Sequence, residues 1–332
     1  MKLDACAWVV WVAALLLLVL TTRNPLYLLL LLLVTRAVAA HFPAGSFALP
    51  LGRLAAVILL FSTLFNWLLA HSGQTVLLTL PSSWPLIGGR LTLETAVFGF
   101  SNGLLLLTLL ALFATFSQVV AAGELVRLTP RALVDLGLVL LIALTYLPET
   151  VRQLQRIREA QAIRGHRLRG WRDWRPIALP LLVGGLERAM NLAEAMVARG
   201  YGATTSVEQP LAIRLLLTLG LALGLAGWLL TFWWAWLGWL LLLLGLGGLT
   251  AVLYQQGQRS QTTRFRPHCW GWRESVVVIT AVFPLLLLLV PWPFLSPDLL
   301  FYTPYPKAML PVFTPWVGLL LTLYVAPVFS NQ

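Results

Sequence analysis

An eight-residue pattern that ends in Arg-Gly occurs twice in the chain and carries its clearest chemistry. Residues 159–166 read Glu-Ala-Gln-Ala-Ile-Arg-Gly-His, and 35 residues later residues 194–201 read Glu-Ala-Met-Val-Ala-Arg-Gly-Tyr. Each copy closes a stretch with helical periodicity, so Gly165 and Gly200 are predicted to follow a last helical turn in the left-handed conformation. A cation in that turn is favoured by the helix dipole. The repeat therefore predicts two matched basic helix tips, which suit two similar partners.

The composition is that of a membrane protein. Hydrophobic residues make up 59% of the chain and charged residues 11%, with a mean hydropathy of +0.84, whereas soluble domains carry about 25% charged residues. Eight apolar runs come close to the length of about 20 residues that a membrane-spanning helix needs. They are residues 5–20, 25–40, 51–70, 93–122, 211–227, 228–254, 275–291 and 311–329. We therefore expect an all-α, polytopic integral membrane protein with about eight transmembrane helices and a cytoplasmic module of amphipathic helices.

Two of these runs have features of their own. Residues 5–20 could be a signal peptide, but no good small-residue cleavage site follows, so we expect the segment to be retained. Residues 211–254 are too long for one span, and we expect them to break near Gly227 into a pair of helices. Five tryptophans in this stretch are expected to form an interfacial aromatic cluster. They are Trp228, Trp233, Trp234, Trp236 and Trp239.

The formal net charge of +11 follows membrane topology, which makes nucleic-acid binding unnecessary as an explanation. With the N-terminus inside and alternating spans, 20 of the 23 Lys and Arg residues fall on the cytoplasmic side, as the positive-inside rule requires. The three outside are Arg23, Arg90 and Lys307. Cys6 and Cys269 are too few for a disulfide framework or a metal cage, so we expect no metal site.

Residues 123–202 differ from the runs around them and form the candidate functional module. The stretch 132–147 has 16 residues and contains Asp135, which makes it marginal as a span. We expect it to lie at the cytoplasmic interface, because a crossing would put the two halves of the basic region on opposite faces. Pro148 then permits a break or kink.

Two amphipathic helices are predicted after Pro148, each ending in one of the basic tips. One face of the first is marked by Val151, Leu154, Ile157 and Gln161, while charged residues mark the others. The second has the 4-3-4-3 spacing of a packed seam. That seam comprises Leu182, Leu186, Ala189, Ala193 and Met196. A lipid-facing amphipathic hairpin is the alternative; it explains the basic faces but not the repeated tips.

Several short motifs along the chain together carry a family resemblance. They are Tyr146-Leu147-Pro148-Glu149, residues 158–165, Pro180-Leu181-Leu182, Leu186-Glu187-Arg188-Ala189, residues 193–201 and, upstream, Leu64-Phe65-Asn66, residues 88–94 and Arg127-Leu128-Thr129-Pro130. In type and order they closely resemble the transmembrane T component of energy-coupling factor (ECF) transporters, including the cobalt and nickel permeases. The resemblance covers most of residues 22–202.

The resemblance implies roles for both tips. In that family, cytoplasmic coupling helices end in two Ala-Arg-Gly-like motifs that dock into grooves on a pair of ABC-type ATPases, while the membrane part holds a substrate-binding S component. The implied ATPase-docking residues here are Ala162, Ile163, Arg164, Gly165, Ala198, Arg199 and Gly200. Residues expected to support the coupling helices are Pro148, Glu159, Ala160, Gln161, Glu187, Arg188, Glu194 and Ala195. Ile163 stands where the family usually has Ala, which leaves the arginine intact.

The chain departs from the family pattern after Gly202. The apolar pair within residues 211–254 looks inserted, because residues 262–266 and 272–275 resemble a stretch that in many relatives follows the second motif more directly. We therefore expect N-terminal transmembrane helices at 1–122, a cytoplasmic coupling-helix module at 123–202, an additional transmembrane helix pair at 203–260 and C-terminal transmembrane helices at 261–332.

The expected function is that of a coupling subunit in an ECF-type ABC importer for a vitamin or transition-metal ion. It would sit in the plasma membrane, with N-terminus and coupling helices cytoplasmic, in contact with lipid, two ATPases and an S component. The sequence lacks a Gly-rich phosphate loop followed by Lys and Ser or Thr. We therefore expect no catalytic residue, no enzyme activity and no bound cofactor in this chain, with ATP used by the partner subunits. A polytopic membrane enzyme acting on a lipid or lipid-linked substrate is the alternative, and a lipid-binding scaffold is a third class.

Overall fold

The computed structural model describes residues 3–42, 50–79, 89–165, 170–201, 211–259, 270–289 and 300–330. Helices dominate these ranges, which confirms the predicted all-α class. They are α1 Ala5–Thr21, α2 Pro25–His41, α3 Leu51–Leu69, α4 Leu93–Val119, α5 Ala122–Val126, α6 Val134–Ile163, α7 Arg175–Ala198, α8 Leu211–Leu230, α9 Ala235–Arg259, α10 Trp272–Leu289, α11 Pro315–Thr322 and α12 Ala326–Ser330. The strands are β1 Val76–Thr79 and β2 Arg90–Thr92, an antiparallel pair.

Each of the eight apolar runs overlaps at least one of these helices, and the last run is divided between α11 and α12. Within the ranges that the structure describes, four helices are long and apolar enough to cross a membrane: Gly52–Leu69, Leu93–Val119, Val134–Ile163 and Ala235–Gln258. Shorter apolar helices lie at Ala5–Thr21, Pro25–His41, Leu215–Leu230 and Pro315–Ser330.

The chain divides into two compact units, one formed by Met1–Leu125 with Arg266–Gln332 and one by Val126–Phe265. The first unit has a continuous apolar core between α1, α2, α4, α10 and the C-terminal helices. Its largest fully buried side chains include Trp11, Tyr27 and Tyr324. The apolar periodicity of these helices is weak because they are apolar on all sides, as expected for helices between a protein core and lipid.

Hydrogen bonds from buried aromatic side chains hold the C-terminal segment in the first unit. The Trp11 indole Nε1 donates to the carbonyl of Tyr324 at 3.1 Å. The Tyr324 hydroxyl donates to the carbonyl of Ala281 at 2.8 Å. The Thr314 N–H donates to the Tyr27 hydroxyl at 2.9 Å. An unpaired buried polar atom costs about 1–3 kcal/mol, so these bonds fix which residues of the C-terminal segment face α1, α2 and α10.

Capping and small residues set the geometry of the first four helices. α2 begins at Pro25 after Asn24, whose Oδ1 accepts from the N–H of Leu26 at 3.0 Å, an N-cap that preorganises the first turn. α3 and α4 approach closely at Gly99, where an added Cβ would lie 2.8 Å from the Ser62 carbonyl oxygen. The Ser62 hydroxyl donates to the Gly99 carbonyl at 2.8 Å, a hydrogen bond typical of small-residue contacts between membrane helices.

In the second unit, α8 and α9 form a tight hairpin. An added Cβ on Gly245 would lie 2.6 Å from the backbone nitrogen of Gly224, so the two backbones touch through glycines. The chain reverses at residues 231–234 and not near Gly227, where we expected the break. Gly227 lies inside α8 against α9, because its missing Cβ is needed for helix contact, not for the turn. The five tryptophans named above surround the turn with exposed rings.

Candidate functional site

Both Arg-Gly repeats are helix ends of the same type. α6 ends at Ile163 and Gly165 has φ +79°, while α7 ends at Ala198 and Gly200 has φ +82°. The N–H of Gly165 donates to the Ala162 carbonyl at 2.9 Å, and the N–H of Gly200 donates to the Val197 carbonyl at 2.9 Å. The left-handed glycines predicted from the sequence are thereby confirmed at both positions.

The two tips project from the unit. Every residue from 162 to 165 and from 198 to 200 is exposed, and Ile163 is 89% exposed. An added Cβ on Gly165 or Gly200 would meet nothing within 4 Å. Within the described residues neither Arg164 nor Arg199 has an ion pair, since the pair found there joins Arg152 and Glu149. Both arginines are exposed, and guanidinium groups bind carboxylates and carbonyls through charge-assisted hydrogen bonds.

α6 is one continuous helix of 30 residues, with Pro148 inside it. Pro148, which permits a break or kink, does not end the helix, although proline removes the N–H that would bond to the carbonyl of residue 144. Packing against α7 stabilises the turns on the C-terminal side of Pro148. The apolar stretch 132–147 and the basic stretch that follows are thus one element, and this element is long and apolar enough to count as a candidate span.

α6 and α7 are antiparallel neighbours, and three contacts mark their alignment. The Gln161 side chain donates to the Pro176 carbonyl at 3.5 Å, near the end of α6 and the start of α7. In the middle, the Arg188 guanidinium donates to Gln153 Oε1. At the other end the Tyr201 hydroxyl donates to Asp135 Oδ1 at 3.0 Å. The tips therefore lie at opposite ends of the helix pair.

The central contact relates the two repeats by pseudo-symmetry. Gln153 and Arg188 are separated by the same 35 residues as the two Arg-Gly motifs, so they are equivalent positions of the repeat. Arg164 lies 11 residues beyond Gln153, and Arg199 lies 11 residues beyond Arg188. At 1.5 Å per residue each tip is about 16 Å along its helix from the crossing point. Two equivalent tips thus point away from a common centre in opposite directions.

The seam predicted on α7 is wrong in register. Leu182 and Leu186 are 70% and 65% exposed, and Ala189 and Ala193 are also exposed. The residues of α7 that are partly or fully shielded from solvent are Pro176, Ile177, Ala178, Leu181, Gly184, Gly185, Arg188, Leu192 and Met196. Gly184 determines this register, because the Gln153 side chain occupies the space that a Cβ on residue 184 would need. Arg188, one turn further along α7, then donates a hydrogen bond to the same glutamine. Of the five residues predicted to form the seam, only Met196 is partly shielded from solvent.

The supporting residues divide by exposure. Gln161 and Arg188 lie in the contact between α6 and α7. Those exposed on the two helices are Pro148, Glu159, Ala160, Glu187, Glu194 and Ala195. Sequence reasoning missed Gln153, Asp135 and Tyr201 as contact residues, although applying the 35-residue repeat to Arg188 would have found Gln153. In the described part of the chain, no group of three or more His, Cys, Asp or Glu side chains could hold a metal ion.

One titratable group of this site has a shifted pKa and lies outside the candidate spans. The hydrogen bond to Asp135 is the main cause that raises the pKa of Tyr201 above its ordinary value, with smaller contributions from burial and from the charge of the carboxylate. The phenol therefore stays protonated at physiological pH and acts as a donor that ties the second tip to the start of α6.

Comparison with known proteins gives one family match and two relatives. The family model described as CbiQ, cobalt transport protein, matches residues 2–210. The energy-coupling factor transporter transmembrane protein EcfT of Brevibacillus brevis is 38% identical over 73 residues, which cover 20% of this chain and 28% of that protein. The protein of the same name from Leuconostoc gelidum subsp. gasicomitatum is 36% identical over 73 residues, covering 20% and 27%. The chain thus spans just over a quarter of the length of these curated relatives.

Proposed function

The chain belongs to the CbiQ family of cobalt transport proteins, and from this membership we propose that it is the transmembrane T component of an ECF-type ABC importer. In this proposal it transmits the ATP hydrolysis of two partner ATPases to a membrane-embedded S component, which takes up a vitamin or a transition-metal ion. The names of the two curated relatives support the assignment to energy-coupling factor transport.

The pseudo-symmetric pair of arginine tips is the observation that carries the proposal. A dimer of ATPases presents two equivalent grooves, and α6 and α7 present two equivalent exposed tips on opposite sides of the Gln153–Arg188 contact. A single rigid pair with one tip in each groove would convert closure of the ATPase dimer into movement of both helices together. We therefore assign Arg164 and Arg199 as the anchors, with Ala162, Ile163, Gly165, Ala198 and Gly200 shaping the two tips.

The antiparallel alignment also limits how the pair lies in the membrane. If α6 crossed the bilayer along its length, the two tips would face opposite sides, and only one could meet a cytoplasmic ATPase. We therefore propose that α6 and α7 lie along the cytoplasmic interface despite the length and hydropathy of α6. Exposed apolar side chains such as Leu136 and Val139 on α6 would then enter the lipid. The exposed face of α7 around Leu182 and Leu186 would be available to the S component.

The docking contacts are expected to be charge-assisted hydrogen bonds from guanidinium donors, worth about 1.5–3 kcal/mol each. Because lysine lacks the planar fork of donors that arginine has, an Arg→Lys variant at either tip should assemble with the ATPases only in part. ATP would be bound by the partner subunits, and this chain would contribute no catalytic group.

The test is purification of the tagged chain from native membranes, with mass spectrometry of the proteins that accompany it. Wild type should retain two ATPase subunits and an S component. Replacing Arg164 or Arg199 by Ala should weaken ATPase retention, and the double variant Arg164→Ala/Arg199→Ala should release the ATPases or uncouple their hydrolysis from transport.

Arg156→Ala is the matched control, since Arg156 is an exposed arginine on α6, away from the tip, and its loss should leave retention unchanged. A double variant that still retained both ATPases and transported at the wild-type rate would show that the tips are ordinary helix ends.

A further inference from the structure

The first unit contains a cavity of about 200 Å³ that the proposed coupling function does not use. It lies between the start of α2, one face of α4 and the segment 301–305. Pockets for drug-sized ligands are larger, about 300–1,000 Å³. The size of the cavity suits a small polar group with its immediate substituents, such as a phosphate ester.

Hydrogen-bond donors without acceptors face this cavity. Arg23 and Asn102 both line it, and within the described residues neither side chain has a hydrogen-bond or ion-pair partner. The backbone N–H of Arg23 donates to the Leu300 carbonyl at 2.9 Å, so the turn that carries the guanidinium is fixed. Asn102 is half-buried. Two neighbouring groups with unused donors favour an anion that can accept from both.

Two tyrosines also line the cavity, and the hydroxyl of one of them, Tyr302, already donates to the Met309 carbonyl at 2.6 Å. Burial raises the pKa of Tyr302, and burial together with the nearby Glu94 carboxylate raises the pKa of Tyr305. Neither phenol therefore adds negative charge at physiological pH. Glu94 itself is fully buried and is hydrogen-bonded to Thr75, and it does not line the cavity.

Apolar side chains surround these donors. The rings of Phe98 and Tyr305 lie with centroids 5.8 Å apart and form one wall with Leu28 and Leu105. On α2, the helix that contributes Leu28 to the cavity, Leu26 and Leu29 are exposed, and almost all residues of this helix are apolar. Arg23 stands two residues before this apolar helix, so in a membrane we expect its side chain near the depth where the helix leaves the hydrocarbon layer. That depth is where lipid phosphate groups are found.

We infer that the cavity binds the phosphate of a membrane phospholipid, through Arg23 and Asn102, with the lipid chains running along the exposed leucines of α2. The shared chemistry is a phosphate group with accepting oxygens. The source is the lipid because the apolar wall and the adjacent apolar surface offer a place for acyl chains, which a free phosphate does not need. The site is separate from the arginine tips, so its test does not depend on the ATPases.

The test is native mass spectrometry of the delipidated full chain titrated with phosphatidylglycerol. Diacylglycerol of the same chain length serves as the lipid without phosphate, and inorganic phosphate as the phosphate without lipid. Wild type should bind one phosphatidylglycerol molecule more tightly than any others and should bind diacylglycerol far more weakly. Arg23→Gln should reduce the affinity of that tightest site at least about tenfold, the effect of losing a charge-assisted hydrogen bond.

Arg90→Gln is the matched control, because Arg90 is an exposed arginine of the same unit that does not line the cavity. It should leave the tightest site unchanged. Asn102→Asp puts a carboxylate into the cavity and gives a second variant, which should also lose the site while its thermal unfolding midpoint shows that the chain is folded. Equal losses in the Arg23 and Arg90 variants, or no loss in either cavity variant, would overturn the inference. Displacement of the lipid by equimolar inorganic phosphate would overturn the lipid as the source.

Discussion

Single polar side chains fix local geometry in both units, and the one in the first unit is buried. Glu94 is fully buried at the start of α4, where its Oε1 accepts from the Thr75 N–H at 3.0 Å and from the Thr75 hydroxyl at 2.6 Å. Gly73 has φ +136°, and a Cβ there would lie 2.6 Å from Glu94 Oε2. A carboxylate thus joins the segment before β1 to α4, and only glycine leaves it room.

Replacing Thr75 by Val should destabilise the first unit by about 1.5–3 kcal/mol, because the buried Glu94 carboxylate loses a charge-assisted bond. Denaturant or thermal unfolding in detergent measures the effect. Thr79→Val is the control on the same hairpin, since Thr79 is exposed and makes no side-chain bond to Glu94; its effect should stay within about 0.5 kcal/mol. Equal effects of the two substitutions would contradict a special role for the Thr75–Glu94 bond.

Tyr201→Phe should loosen the second tip, because it removes the 3.0 Å bond to Asp135. The pKa of Tyr201 is raised above 10.0, so the bond contributes stability below that pH and loses it as the pH rises through the raised pKa. Thermal unfolding midpoints of wild type and variant should therefore differ at neutral pH and converge in strongly alkaline solution. A constant difference across that range would show that the hydroxyl acts by packing alone.

At the scale of elements, helix contacts depend on where glycines leave backbone exposed to a neighbour. α8 and α9 meet through Gly220, Gly224, Gly227, Gly238 and Gly245. At Gly227, Gly238 and Gly245, an added Cβ would lie within 2.6 Å of a backbone nitrogen on the other side of the hairpin. This pattern makes the pair α8 and α9 a close-packed hairpin, which needs no large side chains at the contact.

Gly245→Ala should destabilise the hairpin by about 1–3 kcal/mol, because the new methyl group would overlap the backbone of Gly220 and Gly224. Gly247→Ala, two residues further on, meets nothing within 4 Å. It should be neutral or stabilising by up to about 1 kcal/mol through helix propensity. Protease resistance of the two variants in detergent compares them directly. A less resistant Gly247 variant would indicate that the other face of α9 also has a close neighbour.

At the scale of the whole molecule, charge placement predicts how the chain lies in the membrane. With 20 of 23 basic residues assigned to one side, the arginine-rich region around both tips is expected to be cytoplasmic. The β-hairpin and the segment around Pro304 are expected to be external.

Single-cysteine labelling in sealed cells tests this topology, after Cys6 and Cys269 have been replaced by Ser. A cysteine at Gln74 should react with an impermeant reagent from outside, because Gln74 is exposed beside the hairpin. A cysteine at Gly170, exposed between α6 and α7, should react only after the cells are opened. Labelling at Gly170 in intact cells would overturn the cytoplasmic assignment of the tips.

The sequence by itself determined the class of the protein, the helix ends at both tips and the family. These features are local: apolar runs report burial in lipid or core, and an Arg-Gly pair after a periodic stretch reports a left-handed helix end wherever the helix packs. Family membership likewise depends on the order of short motifs, which the chain shows before it is folded. The domain boundaries and the docking roles of Arg164 and Arg199 stay predictions.

Only the tertiary structure decided which faces meet. The register of α7 on α6 depends on Gly184 admitting the Gln153 side chain, and an apolar pattern cannot distinguish that face from the exposed one around Leu182. The turn between α8 and α9 lies at residues 231–234 and not at the expected position near Gly227, because Gly227 is part of the helix contact. α6 continued through Pro148, where local propensity favoured a break. In each case a contact between residues distant in sequence outweighed a local preference of about 1–3 kcal/mol.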